Sequence, residues 1–146
     1  MEANFEEVWS RVTSGGDDGL TELRRRIRRE AEIRMHCDSQ LRRSIGPTAR
    51  ETLYMVEKRA AVRLRQLQAL HFLISGSVWK PPVSPAQITE LPQVLREIYR
   101  LLSDGSSVTG NAGAGIGPDA CALFRWLAEE SRADAASIRR LAERLL

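Results

Sequence analysis

Residues that favour strands are scarce in this chain. Valine and isoleucine are sparse, aromatics make up 5% of the residues, and no segment alternates apolar with polar residues as a half-buried strand must. A mainly β fold is therefore not expected. No apolar run approaches the roughly 20 residues of a spanning helix; the densest, Leu67 to Val78, is broken by Gln68, His71, Ser75 and Gly76. No membrane partner is expected. The sequence opens Met-Glu-Ala-Asn-Phe-Glu-Glu, acidic where a secretory leader would be basic and then apolar. Two cysteines, Cys37 and Cys121, stand far apart with no CxxC, which excludes a disulfide framework and fits reduced thiols in the cytoplasm. There are only two histidines, His36 and His71, too few and too scattered for a Ser/His/Asp or Cys/His catalytic set.

What the chain does have is arginine and helical periodicity. Its 146 residues, 42% of them hydrophobic, suit one globular domain burying roughly 68–70% of its unfolded surface. Arginine supplies 20 of the 22 basic residues. Between Leu20 and Arg65 there are 13 basic residues against 6 acidic ones, while the rest of the chain holds 9 against 13. Such a basic half points to phosphate, to an acidic partner or to a solvated helix face.

Apolar residues recur at helical spacing. Phe5, Val8, Trp9 and Val12 mark a short helix, followed over 13–19 by a Thr-Ser-Gly-Gly-Asp-Asp-Gly linker, so residues 1–19 read as a short helix with linker and 20–146 as the helical domain. The first long helix is predicted from Leu20 to about Ser44, with an inward stripe of Leu20, Leu23, Ile27, Glu30 or Ala31, Arg34, Cys37, Leu41 and Ile45. This stripe turns polar at its middle. Pro47 suits the first turn of a second helix, which carries Leu53, Val56, Ala60, Leu64, Leu67 and Ile74 and is stopped at Gly76. Three prolines among Pro81, Pro82 and Pro85 then forbid helix, giving an extended crossover, pinned by Trp79. A third helix runs through Leu91, Leu95, Ile98 and Leu102 to Asp104-Gly105. Five glycines between Gly105 and Gly117 cost too much backbone entropy for regular helix. The fourth helix follows Pro118, with Leu123, Leu127, Ser131, Asp134, Ile138, Leu141 and Leu145 in line. At an offset of 71 residues the second and fourth helices echo each other, placing Ala60 on Ser131 and Arg63 on Asp134. Two helix pairs with one long connection describe an antiparallel four-helix bundle.

Several segments resemble bacterial ferritin-like, rubrerythrin-type domains. The block Leu67-Gln-Ala-Leu-His-Phe-Leu-Ile-Ser-Gly76, followed by Pro81-Pro82, is similar to the end of their second helix. Phe5–Val12 resembles a leader before some of them, Leu95–Tyr99 the start of their third helix, and Leu123–Ala128 the approach to their fourth-helix motif. The resemblance implies an all-α, ferritin-like bundle with a long crossover between helices 2 and 3, a short N-terminal helix and a shortened third helix. It also implies a di-metal centre of iron or manganese, with one Glu from each of two helices and Glu-x-x-His from each of the other two.

That ligand set is missing. The chain holds no Glu-x-x-His. In the register of Leu67–Gly76 the former ligand positions are Glu30, Ala60, Arg63, Leu102, Ser131 and Asp134. A shifted register restores Glu57 and Glu130 but sets Ala60 and Ala133 where imidazoles belong. The leading expectation is thus a non-catalytic, cytoplasmic member without cofactor, with an Arg63–Asp134 ion pair helped by Glu30 in the old metal cavity. It would act by self-association or on a protein partner. The alternative is a residual di-iron or manganese oxidoreductase using Glu30, Glu57, Glu130 and Asp134. A third reading takes Arg24, Arg25, Arg26, Arg28 and Arg29 as a patch for nucleic acid or an acidic partner. Without interleaved aromatics or a motif, nucleic acid is the weaker partner. The Gly110–Gly117 run follows a helix rather than a strand and lacks Gly-Lys-Ser/Thr, so it reads as a loop and not as a phosphate cradle. His36, Cys37, His71 and Cys121 lack metal-motif spacing, and buried cysteine serves more commonly as a small hydrophobe.

Overall fold

The structure, a computed structural model, describes residues 5–85, 87–106 and 117–146, with side chains from Gly19 onward. Its elements are α1 (Phe5–Leu41), α2 (Pro47–Ser75), α3 (Leu91–Ser106) and α4 (Pro118–Leu145). No strand occurs among the described residues. One expectation is corrected at once: the short N-terminal helix and its linker over 13–19 are a single helix continuous with the first long one. The three glycines, Gly15, Gly16 and Gly19, cost a helix about 1 kcal/mol each. No proline interrupts Phe5–Leu41, and extension of an already nucleated helix tolerates that cost.

The helix ends follow local chemistry. Pro47 enters α2 where its missing N–H is no loss. Gly76 closes α2 in the left-handed conformation, φ 78°, and its N–H donates 2.7 Å to the Phe72 carbonyl. Pro118 opens α4 in the same way as Pro47 opens α2. Over its 16 described residues α3 is the shortest of the four; the glycine-rich 107–116 lies outside the described residues.

Contacts across the helices fix their directions. Arg24 meets His71, Glu30 meets Arg63 and Arg34 meets Glu57, so α1 and α2 run antiparallel. Arg59 meets Asp134 and Arg63 approaches Glu130, so α2 and α4 do too. Gln40 reaches Thr89, just ahead of α3, while Arg29 lies against Gly105 near its end. Gly105 also faces Ser131, and Leu95 and Tyr99 share a groove with Ile138 and Ala142. Every neighbouring pair is antiparallel, in the ring order α1, α2, α4, α3.

In that ring α2 and α3 lie on a diagonal and point the same way, so the connection between them must climb the molecule. It starts with Trp79 near Arg24 and Arg28 and passes Ala31 to Met35 with Val83 to Pro85. It reaches Gln40 and Arg43 with the Thr89 carbonyl, which accepts from both side chains. The climb follows 16 residues of α1, roughly 24 Å at 1.5 Å per residue. Extended chain over 76–90 spans about 50 Å at most, so the crossover makes the distance with slack. His71 anchors its start, with Nδ1 3.0 Å from the Ser77 carbonyl and Nε2 accepting from Arg24 over 3.1 Å.

The core falls into two clusters. One holds Ile33, Cys37, Leu53, Val56, Ala60, Ile98, Leu102, Ile138 and their neighbours. The other holds Leu23, Ile27, Leu64, Leu67, Ile74, Phe124 and Leu127. Only the first includes α3, because α3 ends level with Ser131. What separates the two is a buried polar layer.

Candidate functional site

The layer is built one turn at a time. On α1, Glu30 lies between the apolar Ile27 and Ile33; on α2, Arg63 follows Ala60 and precedes Leu67 on the inward line; on α4, Ser131 and Asp134 follow Leu127 and precede Ile138. Helical periodicity therefore aims charge at the axis. Arg63 is 0% exposed and Asp134 1%.

Arg63 Nε donates to Glu30 Oε2 over 3.0 Å and Nη1 donates to Asp134 Oδ2 over 2.6 Å. Glu130 Oε1 stands 3.7 Å from the same Nη1, closer to the surface. The second oxygen of Asp134 accepts from Arg59 Nη1 over 3.0 Å. Two carboxylates thus engage Nε and Nη1 of one guanidinium, and a second guanidinium bonds the far side of Asp134. Burial alone would lower the pKa of Arg63, but the charges of Glu30 and Asp134 override it and hold the group above its ordinary value. Burial pushes the Glu30 carboxyl up, opposed by the charge and hydrogen bond of Arg63.

The structure brings Glu30, Arg63, Ser131 and Asp134 together and puts Ala60 and Leu102 in the apolar cluster beside them. It does not bring Glu57 there. Glu57 accepts from Arg34 Nε over 3.1 Å toward the surface, and Glu130 stays at the rim. Arg34, expected on the inward stripe, sits instead at the flank, while Ile33, His36 and Gln40 take the buried places. Arg59 was not anticipated; its position one turn before Arg63 was the available signal.

The arginine run is dispersed around α1 and is not a single face. Arg24 donates to His71, and Arg24 and Arg28 lie over the Trp79 ring. Arg25 pairs with Glu22, whereas Arg26 is buried and packs its guanidinium 4.5 Å from the Phe124 ring centre. Arg29 packs by Gly105.

The residues present do not fit a di-metal centre. Among the described residues no three His, Cys, Asp or Glu side chains gather in an arrangement able to hold a metal ion. The axial space between Glu30 and Asp134 is spanned by a fixed positive charge. Arg63 Nη2, buried and without a hydrogen-bond partner, is a donor, which a cation cannot satisfy. Chemically the arrangement is a buried ion-pair network that joins α1, α2 and α4.

Comparison with protein-family models, with curated proteins and with solved structures finds no match to this chain.

Proposed function

We propose that this chain is a ferritin-like bundle in which an arginine–carboxylate network replaces the di-metal centre, and that it works without catalysis, as a cytoplasmic module that associates with itself. The observation that carries the reading is the Arg63 guanidinium bonded to both Glu30 and Asp134 on the bundle axis. The diagonal α2–α3 crossover supports the ferritin-like topology. No helix of the described chain is long and apolar enough to cross a membrane, in keeping with a partner met in solution.

Self-association is supported by the outer face of α3 and α4. Pro92, Leu95, Tyr99, Ile138, Ala142 and Leu145 line an apolar groove of about 340 Å3 there. Tyr99, Leu145 and Leu146 are 42%, 48% and 99% exposed beside it. A two-fold pairing sets the same patch against itself, so one groove can accept the leucines of the other copy.

Elemental analysis of chain purified without chelator from iron- and manganese-supplemented cells tests the loss of the metal centre. Substoichiometric metal is expected; about two ions per chain would establish the oxidoreductase alternative instead. Sedimentation equilibrium tests the association. A dimer dissociated by Leu145→Glu is expected, and a wild-type monomer at all concentrations would remove that part of the reading.

A further inference from the structure

A second polar feature lies outside the buried layer and does not depend on the function proposed above. Between α1 and α3 the surface opens into a cleft of about 490 Å3, lined by Arg25, Arg28, Arg29 and Arg100 together with Glu32, Asp104 and Leu101. The lining holds four guanidiniums and two carboxylates, and Glu22 and Glu97 pair with Arg25 and Arg100 at its edge.

The four are not equally engaged. Arg100 donates to Glu97 and to Asp104, Arg25 is paired with Glu22, and Arg28 lies over the Trp79 ring. Arg29 is half-buried and forms no hydrogen bond or ion pair within range of any described residue. Glu30, Glu22 and Asp104 attract it only from a distance, while burial and the charge of Arg25 hold its pKa below the ordinary value. A guanidinium that is partly desolvated and has no acceptor is a costly feature for a structure to keep.

Arg29 packs against the end of α3. Gly105 is buried in the last turn of that helix. A Cβ at that position would lie 3.1 Å from Ser131 Oγ and 3.5 Å from Arg29 Cδ. The close contact is with Ser131; the 3.5 Å to Arg29 is ordinary packing distance, and it places the stem of Arg29 against α3 on the wall of the cleft. Arg25 and Arg100, with side chains 66% and 56% exposed, stand at the mouth.

We propose that this cleft binds a compact phosphate-bearing anion, with Arg29 as the inner ligand and Arg25, Arg28 and Arg100 around it. Planar guanidiniums present paired donors that match phosphate oxygens, and among the described residues Arg28 and Arg29 have no carboxylate bonded to them, unlike Arg25 and Arg100. Glu32, Asp104 and the nearby Glu97 bound the site, which limits the anion to a small one and works against a polynucleotide backbone passing through.

The test is calorimetric titration of the full chain with inorganic phosphate, and in a second arm with phenyl phosphate, at constant ionic strength. Saturable binding at one site per chain is expected in at least one arm. Binding in both assigns the cleft to phosphate monoesters, and binding of inorganic phosphate alone assigns it to the free ion. Arg29→Met should weaken binding by at least about tenfold. Arg65→Met removes an exposed arginine of α2 with no cleft contact and should leave binding unchanged. Should Arg29→Met fail to fold, Arg29→Lys keeps the charge without the paired donors and is expected to bind more weakly than wild type. The proposal is overturned by an absence of saturable binding in both arms, by equal losses in the Arg29 and Arg65 variants, or by wild-type affinity in Arg29→Lys.

Discussion

Arg63 donates to Asp134 over 2.6 Å, and the two residues stand 71 positions apart, the offset at which the second and fourth helices echo each other in sequence. Equivalent places on two helix pairs thus carry opposite charges and meet on the axis. A metal centre would need donors of like kind at both. The pair instead joins the halves directly, with Glu30 bringing in α1.

Removing one member of this network should cost much more than removing all of it. Asp134→Ala leaves Arg63 bonded only to Glu30, with Glu130 at 3.7 Å on the rim, and leaves Arg59 without its acceptor. A loss of about 3–5 kcal/mol in urea unfolding is expected, as for other broken buried pairs. Replacing Glu30, Arg63 and Asp134 together with apolar residues of similar volume should leave stability unchanged or raise it, because three desolvation penalties vanish with the bonds. A triple variant less stable than Asp134→Ala would show that the network stabilises in its own right.

His36 should make stability fall in mild acid. Its ring is 7% exposed, Nδ1 has no hydrogen-bond partner, and burial holds its pKa below the usual histidine value against the pull of Glu97 and Glu32. A histidine whose folded pKa is depressed binds its proton more readily when unfolded. Its contribution is therefore present above the unfolded pKa of about 6.5 and is lost as pH falls through and below that value. Urea midpoints measured from pH 7.5 to 5.5 should decline, and His36→Leu should flatten the decline. An unchanged slope in the variant would assign the effect to another group.

The two thiols should differ sharply in reactivity. Cys37 is wholly buried, and burial pushes its thiol well above the ordinary value; Cys121 is half-buried near the start of α4. Titration of the native protein with an aromatic disulfide should modify one thiol, mapped to Cys121, and the second only on unfolding. Equal rates for both would mean that the core cluster around Cys37, Leu53 and Ile98 opens readily.

Much of this molecule was written locally. Three prolines between Lys80 and Ala86 compel an extended connection whatever surrounds them, and Pro47, Gly76 and Pro118 set helix ends through backbone chemistry that needs no tertiary partner. The inward line of α4 could be read from spacing because one flank faces solvent, although Phe124 rather than Leu123 takes the buried place near its start. The 71-residue echo placed Arg63 and Asp134 at corresponding levels, whereas periodicity left Glu30 or Ala31 open and only the register implied by the ferritin-like resemblance selected Glu30.

Other features waited on packing. The break expected at Gly15-Gly16 did not occur, since a propensity cost of about 1 kcal/mol per glycine is small enough for the continuing helix to absorb. Ile33, His36 and Gln40 are buried because α1 has neighbours on more than one side, with the crossover climbing along it, and a single apolar stripe cannot register a second covered face. The five arginines from Arg24 to Arg29 look alike in sequence. One is buried on an aromatic ring, two lie over Trp79, one is paired and one has no acceptor. Periodicity determined which way each side chain leaves its helix; what each then meets was decided by the other three helices and the crossover, because the free energy of a charge depends on the groups that surround it.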